Sequence, residues 1–228
     1  MQRPTRLHPS PRRTKTEISG SAAQTEPAVP FVGLTGGMGA GKSTALAALE
    51  RLGAAVLSTD AVVHELYERA ALRDALVARW GEEVAPRGVV DRAAVAARAF
   101  ADADERRWLE AELWPMVGTE MIGWLERVRA TPNAGERPRA AVVEVPLLFE
   151  SGMEEAFDAT IAVVSDEALR RERAATRGHA REDERAARQL PQEEKARRAT
   201  YTVRNDGSID DLERELSGVL EKLTRRTP

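Results

Sequence analysis

The stretch GLTGGMGAGKST, Gly33 to Thr44, carries five glycines and then turns to Lys42-Ser43-Thr44. The short run VPFVGLTG leads into it and reads as a buried strand. STALAALERLG follows, with Leu46, Leu49 and Leu52 on one helical face and Gly53 as a stop. A strand that passes through glycines into a helix leaves few folds open, because the backbone must wrap something too closely for Cβ atoms. Glycines let successive N–H groups curl into a concave nest. The new helix adds its unpaired amides and the positive end of its dipole. The spacing Gly36-x4-Gly41-Lys42-Ser43 is that of a phosphate-binding loop. Gly37, Met38, Gly39, Ala40 and Gly41 form the predicted nest. Lys42 supplies a mobile charge for β- and γ-phosphates, the Ser43 hydroxyl is placed to ligate Mg²⁺, and Thr44 can donate to a phosphate oxygen.

The rest of the chain alternates strand and helix. AAVLSTD, ending at Asp60, AAVVEVPLLF from Ala140 to Phe149, ATIAVVSD and YTVRN all read as short strands. Strands alternating with helices predict a parallel α/β sheet flanked by helices. From Ala61 to Ala130 the pattern is continuously helical, in segments that include DERRWLEAELW and PMVGTEMIGWLERV. That block is too long for a simple crossover and reads as an insert. The predicted partition is a disordered tail over residues 1–28, a core over 29–62, 138–168 and 200–228, an insert over 63–137 and a lid over 169–199. The amphipathic segment IDDLERELSGVLEKL closes the chain.

Composition narrows the function classes. The net charge of −3 argues against a general nucleic-acid binder, although residues 1–28 hold five basic residues against two acidic ones. There is no cysteine, which excludes a disulfide framework and a thiolate metal site. No run is long and apolar enough to span a bilayer, and the N-terminus lacks a signal-type apolar stretch. A cytoplasmic protein, monomeric or weakly self-associating, with small-molecule substrates and no membrane or nucleic-acid partner, is expected.

Several charged residues are candidates for chemistry. Asp60 ends a strand beside the one that feeds the loop, where ligands of such sheets bind. Its carboxylate can accept a proton from an acceptor hydroxyl, or serve only as a helix N-cap. Glu144 resembles the second metal-site acid of loop-type nucleotide enzymes, with a plain strand-end glutamate as the alternative. Arg170, Arg171, Arg173, Arg177, Arg181, Arg185 and Arg188 crowd one helical stretch. Most fit a solvated, salt-bridged face. Arg173 and Arg177 share a face at i, i+4 and are the candidates to meet a transferring phosphoryl group. His64 is given no role, and the tryptophans at 80, 108, 114 and 124 read as packing.

From about Phe31 to Leu223 the chain resembles the dephospho-CoA kinases. GLTGGMGAGKST, STD at 58–60, VPLLFESG at 145–152, QLPQEEK at 189–195 and NDGSIDDL at 205–212 carry the resemblance, in that order. It implies a P-loop nucleotide-kinase fold with a helical CoA-binding insert and an arginine-bearing lid. It also implies ATP-dependent, Mg²⁺-assisted phosphorylation of the ribose 3′-hydroxyl of dephospho-CoA. Asp60 would then be the base and Asn205 would lie near the adenine. Ser58 stands where the family commonly has an aspartate, Trp114 where it usually has a histidine, and Thr200 where an aspartate is frequent. Another P-loop small-molecule kinase remains the alternative on these residues. A switch-type GTPase does not, because neither Asn-Lys-x-Asp nor Asp-x-x-Gly occurs.

Overall fold

The computed structural model describes residues 28–131, 135, 137–175 and 189–226. The predicted tail lies almost wholly outside them. Five parallel strands form one sheet: β1 Phe31–Gly36, β2 Ala55–Ser58, β3 Ala141–Glu144, β4 Ala159–Val164 and β5 Tyr201–Arg204. Their spatial order is β2-β3-β1-β4-β5, so β3, and not β2 as the sequence reading has it, lies beside β1. The parallel α/β reading holds.

Helix α1, Lys42–Arg51, starts directly from the glycine loop. The helices α2 Thr59–Leu66, α3 Ala70–Trp80, α4 Arg92–Ala101 and α5 Ala103–Arg129 form the block between β2 and β3. Beyond β4 come α6 Glu167–Ala175, α7 Gln192–Arg198 and α8 Ile209–Arg226.

Side-chain alternation along the strands sends apolar groups to both sheet faces. Val32, Leu34, Val142, Ile161, Val163 and Val203 face one side. They pack against Ala45, Ala48 and Leu49 of α1 and Leu212, Leu216 and Leu220 of α8. Phe31, Ala141 and Val143 face the other side, where they share a core with Leu66, Leu76, Leu113, Val117 and Met121. The inserted helices thus bury their apolar faces against the sheet itself. Arg129, the last residue of α5, donates to the Val29 carbonyl from Nε at 3.3 Å and from Nη2 at 3.1 Å.

Three boundaries differ from the sequence reading. β2 stops at Ser58, so Asp60 does not end a strand but sits in the first turn of α2. β3 stops at Glu144, well short of Phe149. Pro146 cannot donate to a ladder, and the chain turns there. The segments on either side of Pro115 form one helix. Pro115 leaves the Ala111 carbonyl without its helical donor, but both residues are exposed and water can supply the bond.

Candidate active site

All five strands deliver their carboxyl ends to the same edge of the sheet, the edge at which open α/β sheets bind ligands. β1 opens into the glycine loop. Gly39 and Gly41 adopt φ values of 70° and 90°, in the left-handed region that glycine tolerates best. A Cβ on Gly41 would also run into Nδ2 of Asn205. Gly41 caps α1 without any side-chain hydrogen bond, and the first turn holds no acid. The amides there are left for an anion. Lys42 folds back over the loop, its Nζ donating to the carbonyls of Gly36 and Gly37 at 3.2 Å each. Ser43 is exposed, while Met38 and Thr44 are half-buried.

The two acids come from the first turn of α2 and the end of β3. In the sheet register Glu144 lies between Leu34 of β1 and Ser58 of β2. Thr59 Oγ1 donates to the Glu144 carbonyl at 2.9 Å, which ties the start of α2 to the end of β3. Glu144 is only 7% exposed. Burial pushes its carboxyl above the ordinary carboxylate range; the Lys42 charge opposes this and the Asp60 charge adds to it. Glu144 pairs in register with Leu34 of the strand that feeds the loop and is bonded through its carbonyl to Thr59, the neighbour of Asp60, so Lys42, Glu144 and Asp60 stand at the same end of the sheet. Ser58, not Asp60, is the N-cap of α2. Asp60 is exposed, which keeps its carboxylate accessible from solvent.

Asn205 is drawn to the loop from the end of β5. Its Nδ2 donates to the Ala40 carbonyl at 2.9 Å, and its own carbonyl accepts from Ser165 Oγ and Arg173 Nη1, both at 3.1 Å. Arg173 Nη1 also reaches Ser165 Oγ at 3.3 Å. Arg173 is therefore held at the ends of β4 and β5, against the residue whose side chain bonds the loop. Arg177 lies outside the described residues.

Some site residues were not distinguished by the sequence reading. Arg170 was one arginine among seven, yet it presses on the loop. A Cβ on Gly37 would sit 2.6 Å from its Nη1, and one on Gly39 2.5 Å from its carbonyl. Lys195 lies in the charged run QEEKARR, yet its side chain is 0% exposed. The resemblance segments QLPQEEK and VPLLFESG, which contain Lys195 and Glu150, were the available signal. The tryptophans do pack. Trp80 and Trp108 meet edge-on with centroids 5.0 Å apart, and Glu105 accepts from Trp80 Nε1 at 2.7 Å. Trp114 and Trp124 border the same core.

No group of three or more His, Cys, Asp or Glu that could hold a metal occurs among the described residues. The oxygen donors present, a hydroxyl at Ser43 and a carboxylate at Glu144, suit a hard cation such as Mg²⁺, which keeps several waters and takes few protein ligands.

Known proteins match this arrangement in sequence and in shape. Residues 30–211 fit the family model for dephospho-CoA kinase. The dephospho-CoA kinase of Anaeromyxobacter dehalogenans is 40% identical over 79% of this chain and 86% of its own length. That of Deinococcus radiodurans is 39% identical over 90% and 99%. A solved structure from Thermus thermophilus superposes with a TM-score of 0.71 at 35% identity, over 86% of this chain and 98% of that one. The dephospho-CoA kinase of Campylobacter jejuni, at 22% identity, shares the fold with a TM-score of 0.61 over 86% and 97%. With its glycine loop and converging acids inside the matched span, the chain belongs to the dephospho-CoA kinase family.

Proposed function

We propose that this chain transfers the γ-phosphoryl group of ATP to the ribose 3′-hydroxyl of dephospho-CoA, giving CoA and ADP. The observation that carries this reading is an uncapped helix start at the glycine loop, with Glu144 at the end of β3 bonded to Thr59 beside Asp60 at the same sheet edge, in a chain of this family. The loop amides from Gly37 to Gly41 cradle the triphosphate, and Lys42 leaves the carbonyls of Gly36 and Gly37 for the β- and γ-phosphates. Asp60 accepts the proton of the 3′-hydroxyl as its oxygen bonds to the γ-phosphorus. The bond from that phosphorus to the bridging oxygen breaks, and ADP departs. Arg173 and Arg177 offset the charge on the phosphoryl oxygens, and Asn205 keeps the loop in shape while bordering the nucleotide. Ser43 and Glu144 would hold Mg²⁺, directly or through its water shell. A bound Mg²⁺ would supply charge neutralisation between the β- and γ-phosphates.

The three-part division into core, acceptor-binding insert and arginine-bearing lid belongs to the same reading. So do a cytoplasmic location and a monomeric state. Among the described residues no helix is long and apolar enough to cross a membrane.

ADP release from purified protein, ATP and Mg²⁺ with a panel of acceptor alcohols tests the reading. Dephospho-CoA is expected to stimulate release most. Stimulation by another acceptor, with none by dephospho-CoA, would overturn it.

A further inference from the structure

Lys195 is a fully buried cation far in sequence from the glycine loop. An ammonium has three donors, and three partners surround this one. Nζ meets the Pro146 carbonyl at 2.7 Å, Glu150 Oε1 at 2.9 Å and Thr35 Oγ1 at 3.4 Å. Thr35 Oγ1 itself donates to the Pro146 carbonyl at 3.4 Å. Glu150 Oε1 also accepts from the Leu190 amide at 2.7 Å. Its Oε2 is buried with no hydrogen-bond partner among the described residues.

Such a pair is a poor device for stability alone. Burial pulls the Lys195 pKa down, and the hydrogen bond and charge of Glu150 restore part of it. Apolar residues of similar volume often serve a core as well as a buried ion pair, or better. What the pair supplies here is location. Thr35 is the residue before Gly36, at the root of the glycine loop. Pro146 lies two residues past Glu144. The same helix, α7, grips the end of β4 through Gln192. Its Oε1 accepts from the Ser165 amide at 3.2 Å and its Nε2 donates to the Ser165 carbonyl at 2.9 Å. One short helix therefore holds the carboxyl ends of β1, β3 and β4.

We propose that Lys195 and Glu150 form a positioning pair for phosphoryl transfer, fixing the root of the glycine loop against the strand end that carries Glu144. This rests on the kinase reading above. Neither residue touches the reacting atoms. They act through Thr35 and Pro146, on the alignment between donor phosphates and acceptor-side acids.

Lys195→Met, Glu150→Gln and the double variant separate positioning from bulk stability. Each single change leaves one buried charge unpaired and should lower Tm. The double variant removes both charges, so its Tm should return toward that of the parent protein. Its kcat should nevertheless stay about tenfold to a hundredfold low, the scale of a small misalignment. Its ATP affinity, read by calorimetry, should stay within about threefold of the parent (a tenfold change is 1.4 kcal/mol). A double variant that recovers turnover together with Tm overturns the proposal. If its Tm does not recover, Thr35→Val decides, because it cuts one anchor without moving a charge. A several-fold fall in kcat at near-parent Tm supports positioning, and parent-like kcat overturns it. A parent protein that fails to phosphorylate dephospho-CoA overturns the kinase reading instead, and the positioning proposal with it.

Discussion

The donor and acceptor sides of the site are built by different means. On the donor side, main-chain groups of one continuous segment, Gly36 to Lys42, make the binding surface, and Asn205 just past β5 and Arg170 of α6 brace it from outside. On the acceptor side the acting groups are side chains: Asp60 from the start of α2, and Glu144 from β3, held together by the Thr59 bond. A main-chain nest is written into consecutive residues. A side-chain pair separated by more than eighty positions exists only once the sheet has assembled. The first is robust to changes around it, and the second depends on register.

The sharpest way to break this contrast is Asp60→Asn. Turnover should fall at least about a hundredfold, the lower range for general base catalysis, while calorimetry still detects ATP binding. Near-normal turnover would leave Asp60 as an ordinary first-turn acid. Gly41→Ala should do the reverse. It forces a side chain into the left-handed region at a strain of about 1–3 kcal/mol, and its Cβ runs into Asn205. ATP affinity should drop by roughly tenfold or more, and unchanged affinity would mean that the loop tolerates a Cβ there.

Asn205→Ala should have a milder effect on the donor side. It removes one buried hydrogen bond to Ala40, a loss of about 1 kcal/mol. The KM for ATP should rise a few-fold and Tm should fall by about 2–4 °C, with kcat for saturated enzyme close to the parent value.

The smallest effect concerns Glu144 and pH. Its folded-state pKa is raised by burial, so the native protein holds this proton more tightly than the unfolded chain does. That stabilisation is present below the ordinary carboxylate range and is lost as pH rises through the raised value. Glu144→Gln stays neutral throughout. Its Tm should match the parent at acidic pH and exceed it by no more than about 4 °C at pH 7, although turnover drops. A lower Tm than the parent at pH 7 would show that attraction to Lys42 outweighs burial.

The same contrast explains what could be read in advance. The glycine loop and its helix were legible because their physics is local. The sheet was legible from its β-branched runs, but two strand ends were not. Ser58 and Glu144 stop their strands where the Thr59 side chain joins them, a contact between segments that composition does not announce. Lys195 carried no signal of its own, because a lysine in a charged helix looks solvated unless the partner that neutralises it, here Glu150, is known to lie beneath it. The sequence segments that meet at Pro115 form one helix, because the Ala111 carbonyl left without a donor is exposed and water can bond it.

That uninterrupted helix has a mechanical consequence. At 27 residues α5 is about 40 Å long, and its last residue is bolted to Val29, two positions before β1 begins. Over that length a tilt of about 5° at the Arg129 end would carry the Ala103 end through roughly 3–4 Å. The angle fixed beside the central strand therefore decides where the far end of the insert lies to within an atom's width.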